Sequence, residues 1–155
     1  MPGNAIFLSI RPQYAERILD GTKTVELRRV RPKYITRGAC ALVYVSSPIK
    51  SLIGAFRIEQ VVEKPIQDLW RMVHGRAGVS RREFDAYFEG VSTGVGIFFS
   101  EVMFFHKPIE LQDLKEMMDF QPPQSFRYAT ASELAFPQFA KLVEGTGSVM
   151  QLSFL

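Results

Sequence analysis

The sequence holds a single cysteine, Cys40, so no internal disulfide can form, and its two histidines are too few to build a Cys/His zinc site. His74 and His106 lack the paired spacing of a helical metal motif, and the three glycines between Gly90 and Gly96 lack the following Lys-Ser of a phosphate-binding P-loop. Long apolar runs are missing as well. The first such stretch ends within a few residues at Arg11-Pro12, which predicts neither a signal peptide nor a membrane span. No repeat period is visible. These absences together predict a reducing, cytoplasmic setting and no tightly bound cofactor.

What is present is enough for one core. At 155 residues with 46% apolar content, the chain is expected to form a single domain over residues 1–155. The net charge is only +3, yet it is unevenly placed. Lys23, Arg28, Arg29, Arg31, Lys33 and Arg37 lie within one stretch that contains a single acid, Glu26, so that stretch carries +5 and the remainder −2. A local excess of this kind marks a surface for an anionic partner, or else a basic but merely solvated strand and loop.

Periodicity predicts a strand over Ala5 to Ile10 and a helix opened by Pro12 and stopped at Asp20-Gly21. From Lys23 to Val30 the residues alternate, with Val25 and Leu27 on one face and Thr24, Glu26 and Arg28 on the other. Ala41 to Ser46 and Leu52 to Val62 read as strands separated by Ser47-Pro48. Helices are expected over Ile66 to Val73 and from Ser80, where Ser-Arg-Arg-Glu83 fits a capping box. Gly94 to Phe105 reads as a strand closed by Lys107-Pro108, and Leu111 to Met118 as a short helix. Pro122 to Tyr128 reads as a rigid loop. Thr130 could cap a last helix, weakened by Pro137, and Val149 to Phe154 could form a final strand. Strands dominate without βαβ alternation, which predicts an α+β fold, a small mixed β-barrel with flanking helices. Alternation would bury about half of Phe98, Phe99, Phe104 and Phe105 and leave the rest for helices or for a homodimer partner.

The run from Leu8 to Arg29, and within it Gly21-x-Lys23-Thr24-x-Glu26-x-Arg28, resembles the opening of an ASCH domain, a branch of the PUA-like barrels. The resemblance continues through Tyr44 to Lys50, Ile53-Gly54, Leu69-Trp70 and Pro123 to Phe126. It implies a barrel with a cleft for RNA or a nucleotide, in a family that includes ribonucleases, an amidohydrolase of acetylated cytidine and suspected coregulators. The resemblance places Lys23 and Thr24 at the mouth of that cleft, with Glu26 and Arg28 beyond them. For a ribonuclease it implies Tyr44, Lys50 and Ser125 as catalytic residues. The amidohydrolase reading needs a helical-segment glutamate that Val73 to Ser80 lacks, and it survives only if Glu26 or Glu83 reaches Lys23.

Metal-free RNA cleavage requires a proton acceptor for the 2′-hydroxyl, a cation for the phosphorane and an acid for the leaving oxygen. With the residues that the resemblance implies, the candidate catalytic set is Lys23, Tyr44, Lys50 and Ser125, with Thr24, Glu26, Arg28, Arg29, Arg31 and Lys33 contacting RNA. A divalent metal, if used, is expected to be loosely held through Glu26 or phosphate oxygens. Each residue also has a plainer use: Tyr44 as a core tyrosine, Lys50 as a turn lysine, Glu26 and Arg28 as a surface ion pair.

Overall fold

Six strands and six helices follow one another in the computed structural model, which describes residues 5–144. The strands are β1 (Ala5–Ile10), β2 (Val25–Arg28), β3 (Cys40–Val45), β4 (Ser51–Pro65), β5 (Thr93–Glu110) and β6 (Phe126–Tyr128). The helices are α1 (Pro12–Leu19), α2 (Ile66–Val73), α3 (Arg81–Tyr87), α4 (Leu111–Met117), α5 (Ala131–Leu134) and α6 (Pro137–Glu144). The strands join in one sheet, ordered β2-β5-β4-β3-β1-β6, which curls into a half-barrel. The long β4–β5 ladder carries three register shifts, and such irregularities let long strands bend.

Several local expectations are met at the residue level. Pro12 stands at the start of α1, and Gly21, just past its Asp20 cap, has φ 85°, the left-handed conformation that a glycine adopts without steric cost. Ile66–Val73 is helical, and Ser80 and Glu83 form the complete capping box of α3. Ser80→Ala is expected to cost about 1 kcal/mol in thermal or urea unfolding, since it strips a side-chain acceptor from the Glu83 amide.

Other details differ, for physical reasons. β5 does not stop at Lys107-Pro108 but runs to Glu110, because residues 105–108 fall in a register shift where no ladder partner requires the missing Pro108 amide. Pro122 to Tyr128 is not all loop, since its last three residues pair antiparallel with β1. Pro137 divides the final helical segment into α5 and α6. β1 and β3 pair in parallel, although no βαβ alternation was read from the sequence, because the connection between them runs through α1 and through β2 at the far edge of the sheet. The segment Val149 to Phe154 lies outside the described residues.

Alternation along the strands sorts the apolar side chains into three cores. Ile6, Leu8, Val43, Phe56, Ile97 and Phe99 fill one face of the curled sheet, with Phe56 and Phe99 stacked at 4.0 Å. Phe7, Leu42, Tyr44, Leu52, Phe120 and Phe139 pack on the other. Val25, Leu27 and Phe98 meet Leu69, Val73, Phe84 and Phe88 of α2 and α3 and the residue that follows it. Phe98, Phe99 and Phe105 are buried and Phe104 is half-buried, so these phenylalanines serve the chain's own cores. Among the described residues no helix is long and apolar enough to cross a membrane.

Candidate functional site at the barrel seam

β2 and β6 are the two edges of the sheet, and no ladder joins them. One side chain does. Glu26 and Arg28 pair in register with Ile97 and Val95, so they point to the face that carries the first core. From there Arg28 Nη1 donates to the Ser125 carbonyl (3.0 Å) and hydroxyl (3.1 Å), just ahead of β6, and Nη2 donates to the Ser9 carbonyl of β1 (2.9 Å). Its Nε and Nη2 also hold Glu26 Oε2, the former at 3.1 Å. A planar guanidinium is suited to such a span because its donors are fixed in different directions.

A cavity of about 300 Å³ opens at this seam. Its lining includes Ser9, Arg11, Tyr14, Lys23, Glu26, Arg28, Ser46, Glu83, Tyr87 and Ser125, so three cations face two carboxylates. The cations are set in place by the elements around them. Lys23 follows the turn after α1; its Nζ donates to the Ala77 carbonyl at 2.8 Å and lies 3.3 Å from Glu26 Oε1 and 5.5 Å from the Tyr14 ring centre. Gly78, at φ 66°, lies so close that a Cβ there would sit 2.9 Å from Lys23 Cβ. Only glycine lets this loop cover the lysine stem. Arg17 ties the same loop to α3 by donating to the Gly78 carbonyl (2.6 Å) and pairing with Glu83 (3.3 Å).

Lys23, Glu26 and Arg28 are 2%, 6% and 6% exposed, so the plainer alternative of a surface ion pair gives way to a buried network of three charges. Burial pushes the Lys23 ammonium below its ordinary pKa, against the pull of Glu26, while the charges of Arg28 and Arg17 add to the fall. For Glu26, burial acts upward, but the charges of Arg28 and Lys23 and their hydrogen bonds outweigh it and hold the carboxyl below its ordinary value. Glu26 is thus a fixed anion. Ser125 accepts from Arg28 through its oxygen, which leaves its own proton for a third group in the cavity.

The sequence-predicted residues divide by place. Lys23, Glu26, Arg28 and Ser125 come together at the seam. Thr24 turns away, accepting from Arg76 at 3.1 Å. Arg29 donates to the carbonyls of Tyr87 and Glu89 at the end of α3, and Arg31 and Lys33 are exposed on the following loop. Tyr44 and Lys50 do not line the cavity. Tyr44 is nevertheless the cross-strand partner of Ser9, which does, and burial raises the pKa of its phenol. Lys50 is exposed at φ 50° at the end of the turn that begins with Ser46, another lining residue. Sequence reasoning missed Tyr14, Arg17 and Tyr87 as neighbours of the site, because only the packing of α1 and α3 against the seam brings them there, and Glu83, named as a carboxylate that could approach Lys23, lines the same cavity. The Ser80 capping box gave a partial signal, since it fixes Glu83 at the start of α3. Among the described residues no three His, Cys, Asp or Glu side chains gather as a metal site.

The family model described as ASCH domain matches residues 8–122. An ASCH domain-containing ribonuclease of Zymomonas mobilis is 33% identical over 127 residues, covering 81% of this chain and 84% of that protein. A crystal structure of ASCH from the same organism superposes with a TM-score of 0.79 at 29% identity, covering 97% of this chain and 99% of that one. A large ribosomal subunit protein of Ureaplasma parvum is 30% identical over 124 residues, which span 79% of this chain but only 38% of that protein. The N-terminal domain of Staphylothermus marinus McrB, at 12% identity and a TM-score of 0.55, shares the fold alone. With the family model matching residues 8–122 and the sheet shared with a solved ASCH structure, the chain belongs to the ASCH domain family.

Proposed function

We propose that this protein binds RNA in the seam cavity and cleaves its phosphodiester backbone. The observation that carries this reading is the Arg28 guanidinium held on Ser125 with Lys23 beside it, a pair of buried cations next to a free hydroxyl proton. The 33% identical relative that bears the name ribonuclease supports it.

In the reaction a 2′-hydroxyl loses its proton and its oxygen bonds to phosphorus, while the bond to the 5′-oxygen breaks and that oxygen takes up a proton. Arg28 and the Ser125 hydroxyl suit the charge that builds on the phosphoryl oxygens. Lys23, whose ammonium is disfavoured by burial, suits proton exchange. Lys50 is exposed one turn from the cavity, where a strand of RNA leaving it would meet the ammonium. Tyr44, its phenol pKa raised by burial, lies instead in the second core behind Ser9 and would act on RNA only after that packing opens. Both Glu26 oxygens are engaged by Arg28 and Lys23, so a loosely held divalent ion would sit on phosphate oxygens of the substrate. The reading assigns the activity to the cytoplasm.

The test is incubation of the purified protein with end-labelled single-stranded RNA, with and without divalent metals. Cleavage is expected, and binding should weaken with salt at a slope of about −0.7 per phosphate neutralised. Absence of cleavage under every metal condition, or binding indifferent to salt, would overturn the reading.

The Lys23–Glu26 contact at 3.3 Å supports a second reading, deacylation of an acylated nucleoside, which required a carboxylate within reach of Lys23. Two features weigh against it: Glu26 is a weak base where it stands, and the Thr24 hydroxyl faces Arg76. Release of acetate from N4-acetylcytidine, followed by chromatography, decides between the two reactions.

A further inference from the structure

Beyond Arg28 the chain leaves β2 and crosses to β3 through residues 29–39. Buried Pro32 and Ile35 pin this loop down, and the Tyr34 amide donates to the Tyr128 hydroxyl at 3.1 Å. Arg31, Lys33, Tyr34, Thr36 and Arg37 face outward between these anchors. Tyr34 is 59% exposed, more than any other aromatic side chain among the described residues. Its ring leans on Tyr128 at 5.5 Å, and Tyr128 in turn lies 6.1 Å from Phe126, the neighbour of Ser125. An aromatic row therefore leads from the cavity wall to the surface, over three strand residues or about 10 Å.

Among the described residues, Arg31, Lys33 and Arg37 take part in no salt bridge. Arg31 and Arg37 also border a second, open cavity with Arg76. Unpaired cations on either side of a fixed, exposed ring match a polyanion that carries flat apolar groups. A duplex hides those groups in its stack, whereas a single strand offers them to aromatic side chains.

We propose that Tyr34 is a stacking platform for an unpaired base of single-stranded RNA, with Arg31 and Lys33 holding the phosphates between that base and the nucleotide in the seam cavity. The inference rests on the RNA reading of the cavity and adds to it a second subsite at Tyr34, so that the bound strand spans more than the nucleotide in the seam.

Fluorescence anisotropy on the full chain tests it, using a labelled oligouridylate of about eight nucleotides, its duplex with oligoadenylate, and uridine monophosphate as competitor. Tyr34→Ala is expected to weaken oligomer binding about tenfold, and Tyr34→Trp to hold it within about twofold of the parent. Competition by the mononucleotide, which reaches only the cavity, should be unchanged in both variants. Tyr34→Ala leaves the amide bond to Tyr128 in place, and melting curves check that it folds. Oligomer binding unaffected by Tyr34→Ala, a loss that Tyr34→Trp fails to restore, or an equal loss for the duplex would overturn the inference while the RNA reading stands. A parent protein that binds neither oligomer nor mononucleotide would overturn both.

Discussion

Glu26→Ala is expected to destabilise the fold by about 3–5 kcal/mol, the usual effect of breaking a buried ion network from one side. The substitution leaves Lys23 and Arg28 facing each other at 2% and 6% exposure with no anion between them. Their other partners are carbonyls of Ala77, Ser9 and Ser125 and one hydroxyl, dipoles that cannot replace a charge. Urea unfolding at neutral pH measures the loss. Glu26→Gln, which keeps an acceptor for Arg28 but no charge, should fall between the parent and the alanine variant.

The same network fixes a pH dependence. Because the Glu26 pKa is depressed in the folded state, its contribution to stability is fully present above the ordinary value of 4.5 and is lost as pH falls through the lower folded value. Lys23 is also depressed, and for a cation the sign reverses: its charge costs stability at neutral pH, and the cost is relieved as pH rises from the folded value toward 10.5. Parent stability should therefore drop steeply below about pH 4.5, and Glu26→Gln should flatten that drop while steepening the alkaline rise, since Lys23 has lost the charge that supported it. A Glu26→Gln profile that parallels the parent at both ends would show that Glu26 does not set this dependence.

Arg28→Lys is expected to reduce RNA cleavage by about 10²-fold or more, the scale of losing a transition-state donor. A lysine keeps the charge but cannot reach Glu26, Ser9 and Ser125 together, so the two edges of the sheet lose their tie and Ser125 its anchor. Ser125→Ala isolates the hydroxyl, because the Arg28 bond to the Ser125 carbonyl persists. Its melting temperature should stay near that of the parent while kcat falls; Arg28→Lys should lower both. Equal cleavage by parent and Arg28→Lys would remove Arg28 from the chemistry.

The sequence was most informative where a residue's local chemistry dictates local structure. Pro12, Gly21 and the Ser80–Glu83 capping box set helix ends whatever packs around them, and Ile66–Val73 shows its apolar face in its spacing. The Gly21 to Arg28 motif likewise pointed to Lys23 and Arg28. Alternation was read correctly over Val25 to Arg28, although the strand is shorter than Lys23 to Val30 and Thr24 turns from the face of Glu26 and Arg28, but alternation cannot distinguish a polar side chain facing water from one facing an internal site. A surface ion pair therefore stays open beside the cleft reading for Glu26 and Arg28 until the fold shows that α2 and α3 cover one side of β2 and the seam encloses the other. β6 escaped because three residues are too few to establish a period. The nearness of Tyr14 and Tyr87 to Lys23 is set by contacts between segments far apart in the chain, for which a single sequence has no local signal.

The tie made by Arg28 has a further consequence for how the molecule behaves in company. A sheet left open exposes main-chain donors and acceptors along its rims, where a foreign strand can add itself. Here the rims are kept to four residues on one side and three on the other, too short a template for lasting addition. Full closure by a ladder would bury those groups, but it would also fill the gap between the rims. A single guanidinium holds the rims together and leaves that gap open, so the barrel can take a guest there without inviting another copy to zip onto its edge.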